Sequence, residues 1–512
     1  MKRPSQRTED RCAAFEKGLL EPQAEVSAQT VGRAVSWAGL GQILGQVAWF
    51  GSLFVLAALV PPAAFGAVTT ALVVTATASL LIGAGTRGAI ITSDRLTTEH
   101  LRYALAVNIS VGVVITAVVI ALADPLASAL LPGADPTVLR WLMMGVALHA
   151  LAIVPLAILQ KNMQFKAQTG IVVVSSFTTA VAAIVAGVLG AGIWALVLRQ
   201  VVGSFFEVVL AWIVARRHLP PIRSLVGRGS RPTAGRGAAA KWFFLVSLFS
   251  LGAMSVDYVV VGRLAGATEL GLYSIAFALG FAPLTHLSWW LGGVLLPAAA
   301  ATQDPDLLAQ RAIRAVRALA LVLLPLVVPA MLLAPWLLPL ALGDQWTSSV
   351  VVFQILFPIG VAHGILNVVA EPLSGSGHVK LHVQMLGLWA IAMVPLLLIL
   401  VPAAGIQGAA LAHLVVLVPL AGGYLVLGAQ RLGLPKFAIL RGLAGVVPPP
   451  LLQAALTLSV FWAMAEAGAP DSVARVVAVA AGFAGLASAF VVWPNGPFLE
   501  ARALVTAARR GS

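Results

Sequence analysis

Long apolar blocks separated by short polar segments run the length of this chain, and their length decides the first reading. A helix rises about 1.5 Å per residue, so roughly 20 apolar residues are needed to cross the hydrocarbon of a bilayer. Fourteen blocks reach that length, over residues 34–59, 66–91, 102–123, 138–159, 168–190, 193–214, 242–263, 270–297, 315–341, 349–370, 382–402, 405–428, 443–465 and 474–493. Two pairs are joined by very short uncharged turns, Gly190-Ala191-Gly192 and Pro402-Ala403-Ala404-Gly405. The pattern predicts an all-α polytopic membrane protein with about 14 transmembrane helices.

One segment breaks the pattern. Residues 216–241 hold seven Lys or Arg, three prolines, four glycines and no acid, the composition of a linker. Six blocks precede it and eight follow, and the first six on each side look like copies of one design. Ala-Phe-Gly at 64–66 opens span 2, and Glu-Leu-Gly at 269–271 opens span 8, an offset of 205 residues between Gly66 and Gly271. Ala191-Gly192-Ile193 opens span 6 and recurs as Ala404-Gly405-Ile406 at span 12, so one short insertion reconciles the two offsets. Each half starts and ends on the same side, as in transporters built from parallel repeats about an axis along the membrane normal. The expected divisions are a cytoplasmic tail (1–33), an N-terminal six-helix lobe (34–214), a basic cytoplasmic linker (215–241), a C-terminal six-helix lobe (242–428), two extra helices (443–493) and a cytoplasmic C-tail (494–512). Two such lobes would enclose a central cavity.

Composition agrees with lipid as the main solvent: 60% of residues are hydrophobic and 10% charged, and the mean hydropathy is +0.97. Soluble chains carry about a quarter charged residues. The net charge of +13 does not imply nucleic acid, because the cations sit in short loops between spans, where they orient a chain in a membrane. With the N-terminus inside, the inner loops and C-tail collect most of the Lys and Arg, while the outer loops hold only Arg140, Arg263 and Arg475 among six acids. An even number of spans with both termini cytoplasmic follows. The lone Cys12 allows no internal disulfide and no Cys metal site. The N-terminal tail has no apolar core and does not read as a cleavable signal. No HExxH, Walker A or GxSxG motif occurs, and no metal or catalytic residue is expected.

Several stretches carry a resemblance. The run Ile158 to Lys166 (ILQKNMQFK), followed by an apolar span and then Gly190 to Val197 (GAGIWALV), resembles polysaccharide flippases of the Wzx and teichuronic-acid exporter type. So do Asp257 to Arg263 (DYVVVGR), Leu270 to Ala276 (LGLYSIA) and Leu296-Pro297-Ala298. These flippases belong to the multidrug/oligosaccharidyl-lipid/polysaccharide exporter superfamily. The resemblance covers about residues 34 to 430 and implies two six-helix lobes and alternating access in a bacterial cytoplasmic membrane. It also implies a polyprenyl-pyrophosphate-linked oligosaccharide as cargo. Span 1 (36–59) carries no arginine, a departure from the relative that flips lipid II.

Five charges fall inside spans: Arg87, Arg199, Glu207, Asp257 and Glu371. An ionisable group in hydrocarbon costs on the order of 3 kcal/mol unless it meets water or a partner, so these are the default site candidates. Arg87, near the inner end of span 2, suits a phosphate, since its planar fork binds oxygens bidentately and stays charged; snorkelling to headgroups is the bland alternative. Arg33 is a second cation near that opening. Arg199 and Glu207 lie about 80° apart on span 6 and are able to face one cavity. Asp257 lies near Arg199 in depth, which raises an Arg199–Asp257 outer gate; a local bond or a pair with Arg263 is the alternative. Glu207 and Asp257 are deep enough to carry a coupling H+ or Na+, whereas Glu371, before Pro372, is less persuasive. Gln42 and Gln46 on span 1, with Asn108, are candidate substrate-binding groups; His149, His286, Asn367 and His413 are polar positions in other spans. Trp141, Trp194, Trp242, Trp336, Trp346 and Trp493 read as interfacial anchors.

The reading that unites these features is a flippase for a lipid-linked glycan serving cell-surface polysaccharide biosynthesis, with no covalent chemistry and no cofactor beyond a coupling ion. Membrane lipids and polysaccharide-assembly proteins are the expected partners. The alternative is a cation-coupled multidrug antiporter of the same architecture, in which Asp257 and Glu207 would bind drug and proton. A membrane glycosyltransferase would need a catalytic carboxylate and a larger extramembrane domain than the linker offers.

Overall fold

The computed structural model describes residues 28–83, 86–93, 96–225, 237–281, 283–284, 305–375 and 378–492. The expected tails beyond these limits, the centre of the basic linker, His286, Trp493 and the Leu296-Pro297-Ala298 motif lie outside the described residues. Among the described residues all regular structure is helical: α1 Ala28–Leu59, α2 Pro62–Gly83, α3 Thr86–Thr92, α4 Thr98–Ala121, α5 Ala123–Leu130, α6 Pro136–Lys161, α7 Phe165–Val188, α8 Ile193–Ala215, α9 Gly237–Gly280, α10 Pro305–Leu342, α11 Ser349–Gly375, α12 Val379–Arg431, α13 Ala438–Ala444, α14 Pro448–Glu466 and α15 Asp471–Val492. Twelve of the described helices are long and apolar enough to cross a membrane.

Two of those twelve contain a backbone break. In α9 it falls at Gly266 (φ 87°), and in α12 at Ala404 and Gly405, the latter with φ 57°. A positive φ is a conformation that glycine adopts without the Cβ penalty. At both breaks the chain turns back on itself. A Cβ on Gly408 would lie 1.9 Å from the Leu400 carbonyl oxygen, and one on Gly262 would lie 3.1 Å from the Leu270 side chain. Eight residues along a straight helix are about 12 Å apart, so these contacts require a reversal. Gly266 has nothing within 4 Å of where a Cβ would stand and acts as a turn.

The chain divides into two compact units, Met1–Gly271 and Leu272–Ser512. In the first, α6 is the central helix, with 67% of its apolar window buried. Its N-terminus is set by Asp135, whose carboxylate accepts the Thr137 amide at 2.8 Å, followed by Pro136 at the first helical position. The Thr137 hydroxyl and amide hold the Asp135 carboxyl below its ordinary range. That stabilisation is therefore present above a pH of 3.8, the ordinary value, and lost as pH falls through the depressed folded value. Asp135→Ala is expected to cost about 1 kcal/mol in thermal unfolding at neutral pH, a difference that shrinks below pH 4; equal stability of the two chains at neutral pH would refute the cap.

Small residues bring helices together, as packing in lipid requires. Gly41 and Gly45 on α1 face Thr169 and Val172 on α7, with Cβ distances of 3.0 and 3.2 Å, and the Thr169 hydroxyl donates to the Trp37 carbonyl at 2.6 Å. The Trp212 indole of α8 donates to the Leu151 carbonyl of α6 at 3.1 Å. The closest approach in this unit joins the start of α2 to the turn of α9. A Cβ on Gly66 would lie 2.0 Å from the Ala267 carbonyl oxygen, and one on Gly271 would lie 1.8 Å from that of Pro62.

In the second unit, α10, α11 and α12 share a core that includes Leu319, Leu323, Val361, Ile365, Val369 and Leu425. The helices α14 and α15 attach to α10 through Arg475, whose guanidinium meets the Leu332 carbonyl and Asp471 (2.7 Å) and lies over the Phe461 ring at 5.3 Å. Trp141 and Trp194 are exposed and meet edge to face at 6.4 Å, as interfacial side chains do. Trp346 corrects the expectation for it: fully buried in the short turn Asp344–Trp346, it is a core residue rather than an anchor.

Candidate functional site

Arg87 is the second residue of α3, which with α2 makes up the described parts of the apolar block 66–91. Two bonds hold α3 in place. The Thr86 hydroxyl donates to the Asn108 side-chain oxygen on α4 at 2.8 Å, and at the other end the Lys161 ammonium donates to the Ser93 carbonyl at 2.5 Å. A cation on the last carbonyls of a helix is favourable, because those groups lack helical partners. Asn108 is fully buried, so in this conformation it positions α3.

Arg87 itself is exposed, and its guanidinium rests on Gln160 of α6, Nη2 to Oε1 at 2.9 Å and Nε at 3.3 Å. A neutral amide orients the guanidinium without cancelling its charge. Gln160 lies in the ILQKNMQFK motif, and nothing in the sequence marked it as a partner of Arg87.

About three turns along the same face of α6 stands His149. Its Nδ1 lies 2.9 Å from the Glu207 carboxylate of α8, with side-chain exposures of 37% and 31%. The two helices run in the same direction, since Gly145 meets Ser204, His149 meets Glu207 and Leu151 meets Trp212. A carboxylate at the middle of a span, partly accessible and bonded to an imidazole, is costly unless it serves a purpose.

Arg199 points elsewhere. Its guanidinium stacks over the Trp49 ring of α1 at 4.9 Å and donates to the Trp49 carbonyl at 3.3 Å. Asp257 is fully buried, and its Oδ1 accepts the Tyr258 amide at 2.9 Å. The Arg199–Asp257 bridge is not formed in this conformation, and Arg263 donates to the Ser128 carbonyl at 2.9 Å. Gln42 is exposed and Gln46 half-buried on α1. Arg33 lies on α1 and Glu371 on α11, and their side chains lie outside the described residues. The structure thus brings Arg87, Gln160, His149 and Glu207 onto one face of α6 and leaves Arg199 and Asp257 apart from it.

The second unit holds a cluster of rings that the sequence did not announce. His363 and His413 flank both Phe281 and Trp389: His363 lies 5.0 Å from Phe281 and 5.6 Å from Trp389, and His413 lies 6.0 and 5.9 Å from the same rings. Phe277 closes a further side, 5.8 Å from His413. The Asn367 amide lies 3.2 Å from His363 Nδ1, and the Tyr424 hydroxyl 3.3 Å from His382 Nδ1.

Comparison with known proteins places this architecture. Residues 55–351, more than half of the chain, match a family described as polysaccharide biosynthesis protein. The succinoglycan biosynthesis transport protein ExoT of Rhizobium meliloti (strain 1021) is 24% identical over 67% of this chain and 68% of its own length. The lipopolysaccharide biosynthesis protein WzxC of Escherichia coli (strain K12) is 23% identical over 71% of this chain and 73% of its own. Among solved structures, the lipid II flippase MurJ in an inward closed conformation superposes with a TM-score of 0.68 at 12% identity, covering 88% of this chain and 99% of that one. The last match bears on fold alone. Taken with the family match, the helical architecture and the two relatives, it leaves one assignment: the chain belongs to the polysaccharide biosynthesis protein family.

Proposed function

We propose that this multi-pass bacterial membrane protein is a flippase that translocates a lipid-linked oligosaccharide across the cytoplasmic membrane by alternating access, for cell-surface polysaccharide biosynthesis. One relative is named for succinoglycan biosynthesis transport and the other for lipopolysaccharide biosynthesis, which supports the reading. The observation in the chain that carries the reading is Arg87, an exposed cation resting on a neutral amide. A pyrophosphate headgroup is the anion that such a guanidinium fits, through two charge-assisted bonds. The polyprenyl tail stays in the bilayer, and no covalent chemistry or cofactor is required. In this reading both termini are cytoplasmic and each broken helix makes two crossings, which gives fourteen spans, six in each of two lobes and two more at the C-terminal end. Glu207, Asp257 and Glu371 are its coupling or gating groups, with H+ or Na+ as the ion. Arg199, Arg33, Gln42 and Gln46 are further contacts for the headgroup or glycan, and polysaccharide-assembly proteins are its partners.

The multidrug-antiporter reading is disfavoured by the same geometry. A cationic drug needs an open carboxylate, whereas Asp257 is fully buried and Glu207 is engaged by His149. The deciding assay follows a fluorescent polyprenyl-pyrophosphate glycan in proteoliposomes. Wild type is expected to flip it, and Arg87→Ala to slow flipping by at least ~10-fold, the loss of one charged hydrogen bond of roughly 1.5–3 kcal/mol. Wild type that moves no such lipid, or an Arg87→Ala chain that moves it equally fast, overturns the reading.

A further inference from the structure

Trp49 and Arg199 stand where contact with lipid does not explain them. Trp49 is 38% exposed on α1, and the Arg199 guanidinium of α8 lies over its ring at 4.9 Å. The apolar residues that α1 shows most openly, Ile43 and Val47, each 59% exposed, follow Gln42 and Gln46 by one position. One position is about 100° around a helix, so the two amides lie off the face that suits lipid. Trp49 belongs with them, because positions spaced four and then three apart share one side of a helix. On α8 the same offset recurs, since the exposed Leu198 precedes Arg199 by one position. Each helix thus keeps a separate apolar face for lipid and sets its part of this group to one side of it.

The group is also short of partners. Among the described residues Gln42 and Gln46 make no side-chain hydrogen bond, and Arg199 meets no carboxylate. A guanidinium carries several N–H donors, and the bond from Arg199 to the Trp49 carbonyl leaves most of them open. Unused polar groups are costly in hydrocarbon, so together they imply a polar occupant. With one indole face under the guanidinium, the exposed part of Trp49 is the rest of the ring. An indole beside amides and a guanidinium is an apolar plate edged by hydrogen-bonding groups. A pyranose matches it, since C–H groups make one face of the sugar apolar while hydroxyls that donate and accept surround its edge. A phosphate has no apolar face and gains nothing from such a plate, which sets this group apart from Arg87.

We propose that Trp49, with Gln42, Gln46 and Arg199 at its edge, is a sugar-stacking subsite that holds one pyranose ring of the lipid-linked glycan. The subsite rests on the flippase reading and deepens it, because it takes the sugar where Arg87 takes the pyrophosphate. Arg199 steadies the indole from one face, and the C–H groups of the sugar pack against what remains open. Tryptophan suits the task, giving a large, rigid contact area at little cost in side-chain entropy. The amides and the free guanidinium donors then bond the hydroxyls at the edge of the sugar. Stacking reads the presence of a ring more than its substituents, so the subsite separates a glycosylated lipid from a bare one without requiring a particular hexose.

Binding of the full chain in detergent is the test, with two probes that share a fluorescent polyprenyl-pyrophosphate and differ in a glucose tetrasaccharide, present on one and absent from the other. Trp49→Leu is expected to weaken the glycosylated probe about tenfold more than the bare one, or ~1.4 kcal/mol. Trp49→Phe, which restores a ring, should recover most of that difference. Gln46→Ala removes no side-chain bond among the described residues and should weaken the glycosylated probe about threefold more than the bare one. Equal effects on the two probes overturn the subsite, and so does a Trp49→Phe chain no better than Trp49→Leu. Where the Trp49 variants fail to fold, Gln46→Ala decides, and the absence of a preferential loss overturns the subsite. A wild-type chain that binds the bare probe as tightly as the glycosylated one strikes the subsite and leaves the flippase reading standing, whereas one that binds neither strikes both.

Discussion

Alanine at Gly271 is expected to destabilise the protein by about 3 kcal/mol or more, the upper range for overpacking a well-filled site. The added carbon would stand 1.8 Å from the Pro62 carbonyl oxygen and 2.5 Å from its carbon, and Gly66→Ala would meet the Ala267 carbonyl at 2.0 Å. The obstacle in each case is backbone, which cannot rotate aside as a long side chain does. One element must move bodily, either the start of α2 or the turn of α9. Gly170→Ala on α7 is the control, because nothing lies within 4 Å of its Cβ position. It should gain up to ~1 kcal/mol from helix propensity alone. Thermal unfolding in detergent separates the two expectations, and a Gly271→Ala protein as stable as Gly170→Ala would show that the close approach is absent.

The second large effect concerns Glu207. Removing one member of a hydrogen-bonded pair within a span leaves the other without its partner. Because about a third of each side chain is accessible here, the stability loss for Glu207→Ala is discounted to about 1 kcal/mol. The effect on transport is expected to be larger, on the order of tenfold in flipping rate, equivalent to about 1.4 kcal/mol of barrier. Glu207→Gln keeps a hydrogen bond to His149 and removes the charge, so it should fold like wild type yet lose dependence on an ion gradient. In a double-mutant cycle with His149→Ala the two losses should not add, because the residues act as a pair. Additive losses, or a Glu207→Gln protein with unchanged gradient dependence, would reduce the pair to a structural contact.

Which features were legible in the sequence follows from the range of the interactions that make them. The spans were readable because burial in lipid is imposed residue by residue. The turn at Gly405 was readable because only glycine adopts its backbone cheaply, and the one at Gly190–Gly192 for the same reason. Arg87 was selected for its charge, but its support by Gln160 joins positions 73 residues apart. Arg199 and Glu207 were placed on one helix correctly. What the spacing left open was which neighbour each meets, and α8 turns one toward Trp49 of α1 and the other toward His149 of α6. Trp346 was misjudged because proximity to a span end does not fix burial.

The reciprocal fit at Gly66 and Gly271 also speaks of ancestry. Residue 66 meets 267, and residue 271 meets 62; each member of one contact stands 205 positions from its counterpart in the other. Such mutual exchange is how a two-fold homodimer touches itself, the same patch serving both partners. A gene encoding one six-helix protomer would have specified both contacts with a single glycine codon, so any change there would have struck both sides of the dimer together. In this chain the two positions are separate codons, each free to vary by itself, and both are glycine.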